Sequence, residues 1–194
     1  MRVIGITGGI GSGKSTVARL LSAKYDIPLI DADKLSKQAT EDIDIKNKIR
    51  EEFGQKCFDK DFNLIRNVVA ELIFSDVLKV EKLNSIIHPY VRNEFKKLIK
   101  YYEENNDYVL YDVPLLFEAR LEKDVDFIVL VYLDYDTRIN RLVNRGMTKD
   151  DAVNRISKQI SLDDKIKLSD LIVYNNASLP ELENSLGLIY DELK

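Results

Sequence analysis

Glycines, a lysine and hydroxyl side chains occur together in residues 8–16, in a spacing that could bind a polyphosphate. The segment reads Gly-Gly-Ile-Gly-Ser-Gly-Lys-Ser-Thr and fits the pattern G-x-x-x-x-G-K-[ST]. Glycines lack a Cβ atom and tolerate positive φ, so successive backbone N–H groups can curl closely around an anion. Lys14 would reach the β- and γ-phosphates, and Ser15 would bind Mg²⁺. A plain turn needs neither four glycines nor the Lys-Ser pair, so the segment predicts a phosphate-binding loop.

Two aspartates end short β-type runs and could serve the same chemistry. Asp33 follows Pro-Leu-Ile-Asp-Ala, and Asp112 ends the run Tyr-Val-Leu-Tyr-Asp. Since ligands bind at the C-terminal ends of parallel strands, both should lie near the loop. Asp33 could accept a proton from an attacking hydroxyl, and Asp112 could be the outer partner of Mg²⁺. The structural alternatives are that Asp31 or Asp33 caps the next helix and that Asp112 opens the turn at Pro114.

Arg141 and Arg145 lie four residues apart, so they share a face of the helix that Asp136-Thr137 is expected to open and Gly146 to end. Such a pair commonly marks the solvent-exposed face of a helix. Past the end of a strand in a phosphate-binding protein, it could equally clamp phosphates. Both interpretations stay open on the residues alone.

His88 is the only histidine and precedes Pro89. Because proline suits the first helical turn, His88 is predicted to cap the helix that follows, and a cap or packing role is favoured over catalysis on local grounds. One histidine and the distant Cys57 make no metal site.

The remaining pattern predicts a parallel, doubly wound α/β sheet. The loop follows a short β-type run, residues 127–133 form the most continuous apolar run and predict the innermost strand, and residues 171–174 predict the last strand. Residues 40–104 carry helical periodicity without a β-rich run, which indicates an inserted helical region. Ser178 is predicted to begin the final helix as its cap.

Composition indicates one globular domain. The chain has 194 residues, of which 45% are hydrophobic and 32% charged. No window approaches the roughly eighteen apolar residues of a membrane span, and the N-terminus does not read as a signal peptide. The lone Cys57 excludes an intramolecular disulfide, so we expect a cytoplasmic protein. The net charge of −4 argues against coating nucleic acid, and we expect a monomer without a nucleic-acid or membrane partner.

Three classes of phosphate-loop protein compete: a small-molecule kinase, a GTPase or ATPase switch, and a nucleic-acid motor. A GTPase should show Asp-x-x-Gly and Asn-Lys-x-Asp, whereas this chain has Asp112-Val-Pro-Leu, and Ile-Arg follows Asn47-Lys48. A motor needs more chain and usually more positive charge. A kinase needs an acceptor pocket, a base and an arginine lid, and the chain offers candidates for all three.

The sequence resembles the dephospho-CoA kinase family over almost its whole length. The phosphate loop is shared by many kinases, but its combination with Asp-Ala-Asp, His-Pro and Asp-Val-Pro-Leu-Leu-Phe-Glu is specific. The matching segments are residues 6–16, 30–33, 53–54, Leu64-x-Arg66, 83–84, 87–89, 91–92 and 112–118, followed by Arg141, Arg145, Arg155-Ile156, Gln159, Lys165, Asp170 and Asn175.

This resemblance implies ATP-dependent phosphorylation of the ribose 3′-hydroxyl of dephospho-CoA, the last step of coenzyme A synthesis, with ATP and dephospho-CoA as substrates and Mg²⁺ as the metal. It implies a P-loop kinase fold with about five parallel strands flanked by helices, a helical acceptor-binding insertion and a small helical lid. The expected ranges, all within one domain, are a core at about 1–40, 106–140 and 165–194, an insertion at about 41–105 and a lid at about 141–164.

The resemblance also assigns side chains to roles. The catalytic residues would be Asp33 as the base, Lys14 and Arg141. The ATP-binding residues would be Gly9, Gly11, Ser12, Gly13, Lys14, Ser15, Thr16, Arg141, Arg145 and Asn175. The acceptor-binding residues would be Asp33, Arg66, His88, Pro89 and Leu115, and the metal ligands would be Ser15 and Asp112.

Three departures from the family pattern concern the lid and the adenine contacts more than the reaction. Asp-Gly is replaced by Asp61-Phe62, the lid turn is shortened to Arg145-Gly146, and Tyr174 replaces the aspartate before Asn175. The alternative function is another P-loop kinase acting on a nucleoside, nucleotide or sugar.

Overall fold

The computed structural model describes residues 1–73, 76–176 and 179–194. Its strands are β1 (Arg2–Gly8), β2 (Leu29–Asp31), β3 (Tyr108–Asp112), β4 (Phe127–Tyr132) and β5 (Leu171–Tyr174). Its α-helices are α1 (Lys14–Tyr25), α2 (Ala32–Ala39), α3 (Ile43–Phe53), α4 (Arg66–Ile73), α5 (Val77–Tyr102), α6 (Tyr135–Asn144), α7 (Lys149–Ser157), α8 (Leu162–Ile166) and α9 (Leu179–Leu193). The cap predicted at Ser178 lies outside the described residues.

The strands form one parallel sheet in the order β2-β3-β1-β4-β5. The predicted parallel sheet is confirmed, but the prediction that residues 127–133 form the innermost strand was wrong. β1 is the central strand, and β4 is its neighbour. Both strands are almost wholly buried, and the glycines of β1 interrupt its apolar run, so hydrophobicity alone did not distinguish them.

One face of the sheet is covered by α1 and α9. Apolar side chains of β1, β3, β4 and β5 pack with these two helices in a single buried cluster. Tyr25 on α1 and Tyr190 on α9 stack with their ring centroids 4.0 Å apart. This packing fixes α1, and therefore the loop that leads into it, against the sheet.

The described chain forms two compact units. The first joins Met1–Asp31 to Tyr102–Lys194 and contains the whole sheet, and the second is Ala32–Tyr101. The second unit is mainly helical, and it begins at α2. Its core is a cluster of buried side chains from α3, α4 and the segment between them: Ile45, Ile49, Phe53, Cys57, Phe58 and Val69. That this unit binds the acceptor stays a prediction.

Helix α5 runs continuously through His88 and Pro89, so the prediction that His88 caps a helix was wrong. A proline inside a helix removes one backbone hydrogen bond, here the one to Ser85, and usually bends or ends the helix. Helix α5 persists because both of its halves are packed: Leu83 lies against the core of the second unit, and Phe95 is buried.

Phe62 stands where the family pattern has glycine, and it keeps the left-handed backbone that glycine favours, with φ 60°. Two contacts support this conformation. The Asp59 carboxylate accepts hydrogen bonds from the N–H groups of Asp61 and Asn63, and the Phe62 ring stacks on Phe58 at 4.7 Å. Phe62 is therefore accommodated in this turn.

Helices α6 and α7 form a hairpin around Gly146, whose φ is +92°. Helix α6 begins at Tyr135, one residue before the predicted Asp136-Thr137, and Asp134 is its cap, whose side chain accepts from the N–H of Thr137. Thr148 caps α7 in the same way. Whether this hairpin acts as a lid stays a prediction.

Within the described ranges, no helix combines the length and the apolar character that crossing a bilayer requires.

Candidate active site

The phosphate loop lies between the end of β1 and the start of α1. Gly11 and Gly13 have φ of +83° and +86°, a backbone region that residues with a side chain rarely adopt. The N–H of Ser12 donates to the carbonyl of Gly9 at 3.0 Å, and the N–H of Thr16 donates to that of Gly13 at 2.9 Å. The loop is thus a closed turn whose end is the N-terminus of α1, where unpaired N–H groups attract an anion.

Lys14, Ser15 and Asp112 come together beside this loop. The register of the sheet pairs Ile6 of β1 with Asp112 of β3, which brings the end of β3 next to the loop. Lys14 Nζ forms an ion pair with Asp112 Oδ1 and lies 3.2 Å from Ser15 Oγ. The Lys14 and Asp112 side chains are 8% and 4% exposed, so this charge pair lies in a largely dry environment where electrostatic effects are strong.

Asn175 and Arg141 flank the Gly13 end of the loop. Asn175 is buried, and its Nδ2 donates to the carbonyl of Ser12 at 2.7 Å. Arg141 is half-buried, and its Nη2 donates to the carbonyl of Asn175 at 3.1 Å. The structure therefore places two of the predicted nucleotide residues, from α6 and from the end of β5, against the loop.

Arg138 and Gln159 also contact the loop, and sequence reasoning gave neither of them a site role. Arg138 Nε donates to the carbonyl of Ile10 at 3.1 Å, and Gln159 Oε1 accepts from the N–H of Ile10 at 2.9 Å. Burial lowers the pKa of the Arg138 guanidinium from its ordinary value. Arg138 could have been found from its spacing, since it lies one helical turn before Arg141. Gln159 follows the end of α7 and has no such signal.

Glu118 and Lys165 brace the segment after β3. Glu118 Oε1 accepts from the N–H of Ile160 at 3.0 Å and pairs with Lys165 Nζ at 2.9 Å. Lys165 is fully buried, so the pair is shielded from solvent. Since a buried ion left without its partner is strongly destabilising, this pair fixes the Ile160 backbone relative to the segment that follows Asp112.

Arg145 and Leu115 are further predicted residues that lie in the first unit. Arg145 is exposed at the end of α6, and Leu115 is 44% exposed. The second unit contains Asp33 in the first turn of α2, Arg66 at the start of α4, and His88 with Pro89 in α5.

His88 is exposed on α5, and partial desolvation together with the positive charge of Arg92 lowers its pKa. Because its folded-state pKa lies below the ordinary value, the ring stays neutral to lower pH than a free histidine. A neutral ring can accept a hydrogen bond at one nitrogen and donate one at the other.

A magnesium site is compatible with the donor set at the loop. Mg²⁺ prefers oxygen ligands and usually takes one or two from the protein, with phosphates and water completing its shell. Asp112 supplies a carboxylate and Ser15 a hydroxyl on the same side of the loop, since both lie against Lys14 Nζ. The part of the chain that the structure describes contains no cluster of three or more acidic, His or Cys side chains that could hold a metal without such help.

The sequence matches the family model for dephospho-CoA kinase over residues 2–181. The chain belongs to the dephospho-CoA kinase family. A dephospho-CoA kinase of Fusobacterium nucleatum subsp. nucleatum is 39% identical over 181 residues, which cover 93% of this chain and 92% of that protein. One of Listeria monocytogenes serotype 4b is 37% identical over 191 residues, covering 95% and 94%.

Solved structures share the fold of this chain. The crystal structure of TT1252 from Thermus thermophilus has a TM-score of 0.87 and 30% identity and covers 100% of this chain and 98% of that one. A shikimate kinase from Bacteroides thetaiotaomicron has a TM-score of 0.53 and 18% identity over 99% and 98%, a likeness of fold alone. The predicted P-loop kinase fold is thereby confirmed.

The Gly13 position gives a test of the loop in this dephospho-CoA kinase family member. A Cβ atom at Gly13 would clash with Asn175 Nδ2, and the φ there is +86°. Gly13→Ala should therefore weaken ADP binding by about tenfold or more, since the φ alone costs an alanine about 1–2 kcal/mol and Asn175 must also move. Isothermal titration calorimetry with ADP and thermal melts would measure both effects.

Gly187→Ala is the matched control. Gly187 lies inside α9, and a Cβ there would meet only the Tyr25 hydroxyl, at an ordinary 3.8 Å. This change should leave ADP affinity unaltered and stabilise the protein by about 0.5–1 kcal/mol. Wild-type ADP affinity in Gly13→Ala would show that the loop geometry does not govern nucleotide binding.

Proposed function

We propose that this protein transfers the γ-phosphoryl group of ATP to the ribose 3′-hydroxyl of dephospho-CoA, giving coenzyme A and ADP. The observation that carries this proposal is the match to the dephospho-CoA kinase family over residues 2–181. The loop, with Lys14, Ser15 and Asp112 gathered at one edge of the sheet, supports it, because this arrangement suits a triphosphate.

The loop residues act mainly by positioning and by charge. Phosphoryl transfer requires little covalent chemistry from the protein, so catalysis rests on holding the phosphates in line and on stabilising their charge. The N–H groups of the loop and of the first turn of α1 bind the phosphate oxygens, and Lys14 meets the β- and γ-phosphates. Thr16, exposed in that first turn, belongs to this nucleotide side of the site.

Ser15 and Asp112 would hold Mg²⁺. When bound, the ion neutralises phosphate charge and orients the β- and γ-phosphoryl groups. Asp112 then has two possible partners, the metal and Lys14. Within the protein alone, its contact with Lys14 keeps the buried carboxylate paired, as a buried charge requires.

The arginines of the hairpin serve the nucleotide. Arg141 lies against Asn175 beside Gly13, which favours a role near the nucleoside end of the phosphates, with Asn175 close to the adenine. Arg145 is exposed, one turn further along the hairpin. Its planar guanidinium suits phosphate oxygens.

Most of the residues proposed for the acceptor, all but Leu115, belong to the second unit. Asp33 takes the proton from the ribose 3′-hydroxyl as that oxygen attacks the γ-phosphorus, while the bond from the γ-phosphorus to the β,γ-bridging oxygen breaks and its electrons leave with ADP. The acceptor is bound by Arg66, His88, Pro89 and Leu115.

We place the enzyme in the cytoplasm as a monomer, with no nucleic-acid or membrane partner, in keeping with its net charge of −4 and its lone, buried Cys57.

A coupled assay of ADP release with different acceptors tests the function. The acceptors are dephospho-CoA, a nucleoside monophosphate, gluconate and shikimate, with a reaction lacking acceptor as the blank. We expect kcat/KM with dephospho-CoA to exceed the others by about 10² or more, because a site built to bond one acceptor leaves its polar groups unpaired with another. A preference for the nucleotide or either sugar-like acid would overturn the proposal in favour of another small-molecule kinase.

The assignment of Asp33 as the base makes a separate prediction. Asp33→Asn keeps the size of the side chain but cannot accept a proton, so kcat should fall by roughly 10²–10⁴ while ATP affinity changes little. Asp44→Asn is the matched control, because Asp44 is likewise the second residue of a helix in the same unit. If the melting temperature falls by a similar amount in both variants and turnover falls in neither, Asp33 only stabilises the N-terminus of its helix.

A further inference from the structure

Ile10, at the tip of the phosphate loop, is held on three sides. Its N–H donates to Gln159 Oε1 at 2.9 Å, and its carbonyl accepts from Arg138 Nε at 3.1 Å. Its side chain packs against the buried cluster formed by Ile139, Leu142 and Ala152. We call Ile10 together with Arg138 and Gln159 the Ile10 anchor.

The cluster that receives the Ile10 side chain belongs to both helices of the α6–α7 hairpin. Ile139 and Leu142 come from α6, and Ala152 comes from α7. The anchor therefore fastens the tip of the phosphate loop to the inside of the hairpin. Burial of an isoleucine side chain favours this attachment, and the two hydrogen bonds fix which way the Ile10 peptide groups point.

The side chain of Arg138 is held by its hydrogen bond to the Ile10 carbonyl and not by an ion pair. It is 5% exposed, and no salt bridge joins it to a carboxylate within residues 1–73, 76–176 and 179–194. A Cβ atom on Gly9 would lie 2.8 Å from Arg138 Cζ, so the guanidinium lies directly on the loop backbone. The positive charge of Arg138 therefore lies beside Gly9 and Ile10 at one end of the phosphate loop, and that of Lys14 lies at the other end.

Gln159 is equally fixed in place. The next residue, Ile160, donates its N–H to Glu118 Oε1, and Glu118 is paired with the buried Lys165. Glu118 lies six residues after Asp112 in the chain. Through Gln159, the loop tip is therefore connected to the segment that begins at the predicted metal ligand.

We propose that Arg138 and Gln159 are positioning residues of the kinase reaction, which act through Ile10 to hold the phosphate loop in its nucleotide-binding shape. Neither needs to touch the substrate. The direction of the N–H groups of the loop depends on the hydrogen bonds that hold its backbone. Loss of the hydrogen bonds to Ile10 would therefore allow the peptide groups next to Gly9 and Gly11 to rotate. This inference rests on the proposed ATP-dependent function.

Gln159→Met tests the anchor, because methionine keeps the length of the side chain but cannot accept the hydrogen bond. We expect about a tenfold weaker Kd for ADP and a similar rise in KM for ATP, with an unchanged KM for dephospho-CoA. The melting temperature should stay within a few degrees of wild type, and the Ile10 amide should exchange its hydrogen faster. Asn154→Met, an exposed amide-to-methionine change on α7, is the control and should alter none of these.

Two further variants separate positioning from general support of the fold. Gln159→Glu retains an acceptor oxygen and should restore slow exchange of the Ile10 amide. Arg138→Lys keeps the charge but loses the Nε–H, and it should weaken ADP binding as Gln159→Met does. Combining Arg138→Lys with Gln159→Met should cost less than the sum of the two changes, because both act on one residue.

Unaltered ADP affinity in Gln159→Met would overturn the inference. So would a loss of melting temperature accompanied by equal changes in KM for both substrates, since that pattern describes a structural contact. ADP binding and hydrogen exchange are measured without an acceptor, so these outcomes can be read even if dephospho-CoA proves to be the wrong substrate. The acceptor assay on the wild-type protein decides that question separately.

Discussion

Lys14 and Asp112 form a buried ion pair at the point where the central strand β1 and its neighbour β3 end, and much of the structure depends on keeping these two groups together. β1 and β3 are neighbours in register, so Asp112 ends its strand beside the loop that carries Lys14. Taking either charge out of water without the other would be strongly destabilising. The pair therefore constrains the loop, the start of α1 and the end of β3 to one arrangement.

The phosphate loop takes its shape from its neighbours. Gly11 and Gly13 permit its backbone path, but glycine flexibility alone would leave many conformations open. Side chains from separate parts of the first unit select one of them: Asn175 bonds the Ser12 carbonyl, and Arg138 and Gln159 bond the two polar groups of the Ile10 backbone. Preorganisation of this kind suits phosphoryl transfer, in which positioning and charge account for most of the catalysis.

Local sequence was sufficient for features that depend on neighbours in the chain. The loop and the position of Asp112 at a strand end follow from short contiguous motifs, and the parallel sheet follows from strand and helix patterns that alternate along the chain. Features set by tertiary packing could not be predicted from local sequence. β1 and not β4 is central, because buried strands look alike in sequence, and α5 continues through Pro89 because packing on both sides outweighs the lost hydrogen bond.

The same distinction separates the site residues that were found from those that were missed. Lys14 and Ser15 belong to a contiguous motif, whereas Gln159 reaches Ile10 across 149 positions of the chain and lies outside any regular helix. Arg138 carried a helical-spacing signal, yet a third arginine on one face reads equally well as a solvated charge. Only the fold shows that it is buried on the loop.

We propose that Asp112 serves the metal and the phosphates and does not merely neutralise Lys14. Calorimetry of a non-hydrolysable ATP analogue, with and without Mg²⁺, on wild-type protein and Asp112→Asn tests it directly. We expect asparagine to remove most of the Mg²⁺-dependent gain in affinity, by about tenfold or more, while metal-free binding is unchanged or tighter because Lys14 is no longer paired. An undiminished Mg²⁺-dependent gain in Asp112→Asn would contradict it.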